Sequence, residues 1–156
     1  MLLIEIPGAP PLTLEHLVLD YNGTIALDGK LLPGVAERLV ALQDQLILHV
    51  LTADTFGTVA QELKGVPCRL AVIPPGNQAE AKLAYVQQLG PEKCVCIGNG
   101  RNDQLMLAAA ALGVAVIGGE GAAGSTLQAA TVVTCEITAA LDLLLQPQRL
   151  AATLRL

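Results

Sequence analysis

An uninterrupted apolar run that ends in an acid constrains this chain more than any other stretch. Residues 17–19 are leucine, valine and leucine, Asp20 follows them, and Asn22 and Gly23 then turn the backbone. A continuous apolar run is typical of a strand buried on both faces, as in a parallel sheet. Open α/β sheets bind ligands at the carboxyl ends of such strands, so we expect Asp20 to lie at a binding site. A purely structural Asp20, which caps the following turn, explains this segment alone equally well.

Further apolar runs alternate with helical patterns along the rest of the chain. The other predicted strands lie at residues 2–6, 46–51, 68–73, 94–97, 114–117 and 131–134. A small flap is predicted at 24–30, and helices are predicted at 35–43, 56–64, 77–89, 103–111 and 136–145, with a short helix after residue 124 and a helical tail after residue 147. This alternation predicts an α/β fold with a doubly wound, mostly parallel sheet. Neither an internal repeat nor a linker interrupts it, so one domain spanning residues 1–156 is expected.

The composition fits such a sheet and excludes several functional classes. Hydrophobic residues make up 53% of the 156 positions and aromatic residues 2%, so the core must be aliphatic. A net charge of −5 leaves no basic surface for nucleic acid. No apolar span reaches the roughly 20 residues of a membrane helix, and the first residues lack the basic region of a signal peptide. We therefore expect a cytoplasmic protein that binds neither nucleic acid nor membrane.

Four cysteines at positions 68, 94, 96 and 135 fit a cytoplasmic protein, because they lie in or at the ends of apolar runs. Cys94 and Cys96 would face the same side of a strand, but one Cys-x-Cys pair is weak support for a metal site. We expect buried free thiols.

Three later segments place polar residues in a distinctive order after the first strand. Thr52 and Ala53 follow a predicted strand, Lys82 lies in a predicted helix, and Gly-Asn-Gly-Arg-Asn-Asp occupies residues 98–103. Together with Asp-x-x-Gly-Thr at residues 20–24, these segments resemble the four motifs of the haloacid dehalogenase-like (HAD) superfamily. Within that superfamily they are most similar to the phosphorylation domain of P-type ATPases.

The resemblance covers residues 17–145 and implies a Rossmann-like HAD core that performs phosphoryl transfer with Mg²⁺. By resemblance, Asp20 is the nucleophile that forms an aspartyl-phosphate. The catalytic residues that it implies are Asp20, Asn22, Thr52 and Lys82. The phosphate-binding residues are Gly23, Thr52, Ala53 and Lys82. The metal ligands are Asp20, the backbone carbonyl of Asn22, Asn99 and Asp103.

The intervals between these motifs have no room for the cap domain that many HAD phosphatases carry. The interval from Thr24 to Thr52 accommodates only a flap, one helix and one strand, and that from Thr52 to Lys82 is equally short. The resemblance therefore implies a capless domain with an open site for a phosphorylated substrate. A homo-oligomer or a protein partner would cover that site.

Two amides depart from the usual HAD pattern. Most HAD phosphatases have an acid in place of Asn22, and a side-chain amide cannot shuttle the proton that this acid transfers. Asn99 replaces a second acid, so its oxygen approaches Mg²⁺ without charge. Two functions remain open: a slow or specialised Mg²⁺-dependent phosphohydrolase or phosphotransferase, and a non-catalytic module that senses phosphate or binds a partner.

Individual motif residues also have alternative interpretations. On position alone, Lys82 is more typical of a solvated helix residue, and Asp103 of an acid that stabilises a helix N-terminus. Residues 119–124 match Gly-x-Gly-x-x-Gly between a strand and a helix, so a dinucleotide site is a further alternative.

Overall fold

The computed structural model of the chain describes residues 1–54 and 57–156. Its strands are β1 (Leu2–Ile4), β2 (Leu12–Leu14), β3 (His16–Asp20), β4 (Ala26–Leu27), β5 (Lys30–Leu31), β6 (Ile47–Thr52), β7 (Cys68–Val72), β8 (Cys94–Gly98), β9 (Leu112–Val116) and β10 (Val132–Thr134). Its α-helices are α1 (Val35–Leu42), α2 (Thr58–Glu62), α3 (Gln78–Leu89), α4 (Gln104–Ala109), α5 (Gly124–Ala129), α6 (Ile137–Leu145) and α7 (Pro147–Leu154). Short 3₁₀ helices occupy Pro91–Lys93 and Arg101–Asp103.

Six of the strands form one parallel sheet in the order β10-β9-β8-β3-β6-β7. Strand β3 lies inside this sheet, where Leu17 pairs with Leu48 of β6 and with Val95 of β8. The remaining strands form two antiparallel pairs, β1 with β2 and β4 with β5. The predicted doubly wound α/β fold is confirmed, and the pair β4–β5 is the predicted flap.

Side chains of β3 alternate between the two faces of the sheet, and both faces are covered. Leu17 and Leu19 pack in the larger apolar cluster, which also contains residues of α1 and α6. Val18 points to the other face and packs with residues of α3 and α4. Because all three residues are fully buried, the continuous apolar run has the structure that its sequence predicts.

The cysteines differ in their exposure. Cys94 and Cys96 are buried, as expected, and they share the second apolar cluster. Cys68 is half-buried, and Cys135 is exposed. The prediction of a buried thiol at Cys135 is wrong, because Cys135 follows the last residue of β10 and has already left the sheet.

Several element boundaries also differ from the predicted ones. The short strand β2 was not predicted; it directly follows Pro10 and Pro11 and pairs with β1. The helix predicted at 103–111 is shorter, since a 3₁₀ turn precedes α4 and β9 already begins at Leu112. Gly113 permits this tight connection, because a side chain there would collide with the backbone of Leu107. The predicted start of α2 at Phe56 lies outside the described residues.

The connections around the sheet carry no further domain within residues 1–54 and 57–156. Hairpin β4–β5 and helix α1 connect β3 to β6, and α2 with β7 fills most of the path from β6 to α3. No helix in this described part of the chain is both long and apolar enough to span a bilayer.

Candidate active site

The predicted site residues meet at the carboxyl edge of the sheet. Asp20 ends β3, Thr52 ends β6, and Asn99 follows β8. Because these neighbouring strands are parallel, their ends bring the three motifs together. A cavity of about 250 Å³ opens there and is lined by Asp20, Asn22, Ala53, Gln78, Lys82, Asn99, Gly100, Asn102 and Glu120.

A buried ionic cluster of Asp20, Lys82 and Asp103 lies at this cavity, and Asp20 and Lys82 line it. Lys82 is only 2% exposed, and its Nζ lies 2.7 Å from Asp20 Oδ1 and 2.7 Å from Asp103 Oδ1. The interpretation of Lys82 as a solvated helix residue is therefore wrong. Helix α3, which Asn77 caps by accepting a hydrogen bond from the backbone of Glu80, carries the lysine inward.

The environment of this cluster shifts the pKa values of two of its members. Burial, and then the charge of Asp103, raise the pKa of Asp20 to about 7, although Lys82 opposes the shift. Burial alone would lower the pKa of Lys82, but Asp20 and Asp103 raise it overall. The lysine is thus charged at neutral pH, whereas Asp20 exchanges its proton there.

Asp103 lies behind the cavity wall rather than in it. It is fully buried, and its Oδ2 accepts hydrogen bonds from the backbone of Asn99 at 3.0 Å and of Gly100 at 2.9 Å. Its Oδ1 accepts from Lys82. Asp103 therefore fixes the turn after β8 and the lysine, and its role as a metal ligand stays a prediction.

Thr24 connects two predicted site residues and was not itself predicted as one. Its buried hydroxyl lies 3.0 Å from Asp20 Oδ2 and 3.1 Å from Asn99 Oδ1. One hydroxyl has one proton, so it donates to only one of these acceptors at a time. Thr24 belongs to the Asp-x-x-Gly-Thr pattern, which was the signal that could have identified it.

The turn after β3 places Asn22 at the cavity. Gly23 has a φ of +80°, a conformation that favours glycine, and its backbone N–H donates to Ala26 at 2.9 Å. Asn22 is exposed and lines the cavity.

Of the two predicted site residues at the end of β6, Ala53 lines the cavity and Thr52 does not. The Thr52 hydroxyl is buried and accepts a hydrogen bond from the backbone of Asp54 at 3.0 Å, whereas Ala53 lines the cavity. Their predicted phosphate contacts remain predictions.

Four further lining residues lie outside the predicted set, and one of them is Gly100 of the motif at residues 98–103. Asn102 donates to Gln78 Oε1 at 2.7 Å, which joins the turn after β8 to the start of α3. Glu120 reaches the cavity from the glycine-rich loop that follows β9. Asn102 lies within the motif at residues 98–103, but no sequence signal points to Gln78 or Glu120.

The glycine-rich loop at residues 119–124 forms a wall of the same cavity. The Ala123 N–H donates to the carbonyl of Asn99 at 2.8 Å, and the Thr126 hydroxyl donates to the carbonyl of Gly100 at 2.7 Å. The Asn99 side chain donates in turn to the carbonyl of Gly121 at 3.1 Å. The Ala123 N–H is thus already bonded within the protein instead of being available to a phosphate. The packing therefore lends no support to the dinucleotide alternative.

The cavity offers oxygen donors to a metal ion. Asp20 has a carboxylate and Asn99 an amide oxygen, and Asn22, whose backbone carbonyl is the predicted ligand, also lines the cavity. Oxygen donors of this kind suit a hard cation such as Mg²⁺. Within residues 1–54 and 57–156, no three His, Cys, Asp or Glu side chains are already gathered as a metal cluster. The donor chemistry thus fits Mg²⁺, but with few charged ligands.

Solved structures show which fold this chain shares. The 3-deoxy-D-manno-octulosonate 8-phosphate phosphatase from Moraxella catarrhalis, in complex with magnesium, phosphate and KDO, matches 90% of this chain and 90% of its own, with a TM-score of 0.68 and 18% identity. The cobalt-bound phosphatase of the same kind from Haemophilus influenzae matches 90% and 92%, with a TM-score of 0.71 and 15% identity. The fold of this chain is that of HAD-family hydrolases.

Sequence comparison identifies relatives of this chain, although no protein-family model matches it. The uncharacterized protein MJ0073 of Methanocaldococcus jannaschii is 45% identical over 84 residues, which are 51% of this chain and 90% of that protein. The uncharacterized protein MJ0072 of the same organism is 51% identical over 39 residues, 25% of this chain and 89% of that protein. The chain belongs to the family of these archaeal proteins.

Proposed function

We propose that the protein is a Mg²⁺-dependent phosphohydrolase or phosphotransferase that acts through an aspartyl-phosphate on Asp20. The observation that carries this proposal is the buried Asp20–Lys82 contact of 2.7 Å at an open cavity. A carboxylate and a fixed cation at one point suit attack on a phosphoryl group. The shared fold with phosphatases, one of them in complex with magnesium and phosphate, supports the same activity.

The first step is attack by an Asp20 carboxylate oxygen on phosphorus. A bond forms between that oxygen and phosphorus, while the bond from phosphorus to the leaving-group oxygen breaks and its electron pair leaves with that oxygen. Asp20 must be ionised to attack, and its pKa of about 7 permits this at neutral pH. Esterification removes the charge of Asp20, so the Lys82 ammonium then becomes available to the phosphoryl oxygens.

The second step regenerates the enzyme. Water attacks phosphorus, the bond between phosphorus and the aspartyl oxygen breaks, and Asp20 regains its carboxylate as inorganic phosphate leaves with the oxygen from water. When an alcohol takes the place of water, the reaction is a phosphotransfer. Asp20, Asn99 and the carbonyl of Asn22 would hold Mg²⁺, which neutralises phosphoryl charge when bound.

The amide of Asn22 defines the preferred substrates. It cannot protonate a leaving group, so leaving groups that depart without a proton are favoured. Acyl phosphates and phosphoanhydrides have such leaving groups, whereas alkyl phosphates do not. The cavity is open in the chain alone, so a large substrate, a second copy or a protein partner would cover it during turnover.

The amides at Asn22 and Asn99 also favour a second candidate function. A domain that keeps Asp20, Lys82 and Asp103 but lacks the proton-transferring acid can bind phosphate without turnover. Such a protein would act as a phosphate-sensing or partner-binding module.

Phosphate release separates the two candidates. The purified protein is incubated with Mg²⁺ and acetyl phosphate, and inorganic phosphate is measured; Asp20→Asn, which is nearly isosteric, is the control. Release that requires Mg²⁺ and disappears in the variant is the expected result. No release, together with a rise in melting temperature when phosphate and Mg²⁺ are added, would contradict catalysis and favour the sensing module.

A further inference from the structure

Glu120 brings a carboxylate into the cavity from a loop outside the four motifs. The Glu120 side chain fits beside residue 23 because Gly23 has no side chain. A Cβ atom on Gly23 would collide with Glu120 Oε2 and would lie 2.7 Å from Asn99 Nδ2. The carboxylate of Glu120 therefore lies close to Gly23 and to the side-chain amide of Asn99, in the cavity that Asp20 and Asn22 also line.

Hydrogen bonds hold the loop of Glu120 against Asn99. Asn99 Nδ2 donates to the carbonyl of Gly121, the residue that follows Glu120. Gly118 and Gly121 have φ values of +48° and +71°, so left-handed residues flank the segment on both sides of Glu120. This geometry keeps the backbone of Glu120 beside Asn99, and the Glu120 side chain is exposed.

The charges at the site need another acid if a divalent cation is to bind. When both acids are ionised, Asp20 and Asp103 contribute two negative charges, and Lys82, 2.7 Å from both, cancels one of them. The cluster alone thus offers one net negative charge to a cation of charge +2. Glu120 adds a second negative charge, which matches the cation.

We infer that Glu120 is a carboxylate ligand of the divalent cation and supplies the charge that Asn99 lacks. This inference rests on the metal site of the proposed function. It concerns binding of the cation before substrate arrives, because a bound phosphate would bring negative charge of its own. Glu120 would have its largest effect on metal affinity in the absence of phosphate.

Calorimetric titration with Mg²⁺, without phosphate, tests the inference in the intact protein. We expect Glu120→Gln to weaken Mg²⁺ binding by about tenfold or more, the effect of losing one charged ligand contact. Glu92→Gln is the matched control, since exposed Glu92 lies in the 3₁₀ turn before β8, at the opposite edge of the sheet. It removes the same charge and should leave the affinity within about twofold, as expected for screened charges.

A second variant tests whether Glu120 supplies the charge that Asn99 lacks. Asn99→Asp places a carboxylate on the residue beside Glu120, so Glu120→Gln should cost much less affinity in that background than in the wild type. Melting temperatures without metal should be equal for Glu120→Gln and the wild type, which shows that the fold is intact.

Three results of these measurements would overturn the inference. Wild-type Mg²⁺ affinity in Glu120→Gln would overturn the inference and leave the proposed function standing. Slower phosphate release at unchanged Mg²⁺ affinity would also overturn it, because Glu120 would then act on the substrate. A wild-type protein that binds no Mg²⁺ would overturn both the inference and the metal dependence of the proposed function.

Discussion

Replacing Lys82 with methionine tests the buried ionic cluster directly. Methionine has nearly the length of lysine but no charge, so Lys82→Met leaves Asp20 and Asp103 buried together without a cation. Removing one partner of a buried ion pair typically costs about 3–5 kcal/mol. We expect the upper part of that range at pH 8, because Lys82 is 2% exposed and contacts both acids at 2.7 Å.

The loss of folding stability caused by Lys82→Met should increase with pH. Burial and Asp103 already raise the pKa of Asp20 to about 7 in the presence of Lys82, and loss of the lysine raises it further. A carboxyl group whose folded pKa is raised contributes stability at low pH and loses it as pH rises through that pKa. Lys82→Met should therefore be less destabilising at pH 6 than at pH 8, by up to about 1.4 kcal/mol per pH unit.

Urea unfolding followed by circular dichroism measures this, since the chain has no tryptophan for fluorescence. The control is Arg38→Met, which breaks the Arg38–Asp142 pair between side chains that are 30% and 31% exposed. Exposed pairs contribute about 0–1 kcal/mol. A loss for Lys82→Met at pH 8 that is no larger than for Arg38→Met would refute the reasoning.

Three further substitutions probe separate parts of the account. Asn22→Asp should raise turnover of an alkyl phosphate by about 10²-fold or more and that of acetyl phosphate far less; equal gains in steady-state assays would contradict the proposed preference for leaving groups. Burial, and then the charges of His16 and Arg69, lower the pKa of His49 to about 4. The contribution of His49 to the free energy of unfolding therefore falls as pH drops below 6.5. From pH 7 to pH 5, urea titrations should show the wild type losing about 2 kcal/mol relative to His49→Gln, and parallel losses would argue against this. Gly113→Ala should cost about 1–3 kcal/mol in the same titrations by forcing β9 away from α4, whereas Gly124→Ala, where a Cβ meets open space, should be close to neutral.

Local patterns were sufficient to predict most of the fold. The continuous apolar run at residues 17–19 correctly predicted a strand buried on both faces. A strand with both faces buried has apolar residues at every position, without the alternation of apolar and polar residues seen in half-exposed strands. The cap at Asn77 and the glycine at 90 marked the ends of α3. Both signals depend on neighbouring residues, so they can be interpreted without tertiary structure.

The site required contacts that no local pattern contains. From the sequence alone, Lys82 is interpreted as a surface residue. In the structure, α3 directs it towards Asp20 and Asp103, which lie 62 and 21 positions away in the chain. Glu120 lies in a loop whose only sequence signal is glycine. Its place in the cavity follows from the absence of a side chain at Gly23.

The same limit applies to a partly buried row of three hydrogen-bonded side chains, His16, His49 and Tyr85. His16 Nδ1 lies 3.1 Å from His49 Nε2, and His49 Nδ1 lies 2.8 Å from the Tyr85 hydroxyl. The three residues come from β3, β6 and α3. Neither histidine has a neighbour in sequence that predicts this pairing.

The most direct test of the central claim is to detect a phosphoryl group on Asp20. The protein is incubated with Mg²⁺ and acetyl phosphate, quenched in acid, which preserves acyl phosphates, and digested for mass spectrometry. We predict that the peptide containing Asp20 gains the mass of one phosphoryl group, and that the gain is absent in Asp20→Asn and when Mg²⁺ is chelated. Phosphate release without any phosphorylated Asp20, or a phosphoryl group found on another residue, would contradict the account.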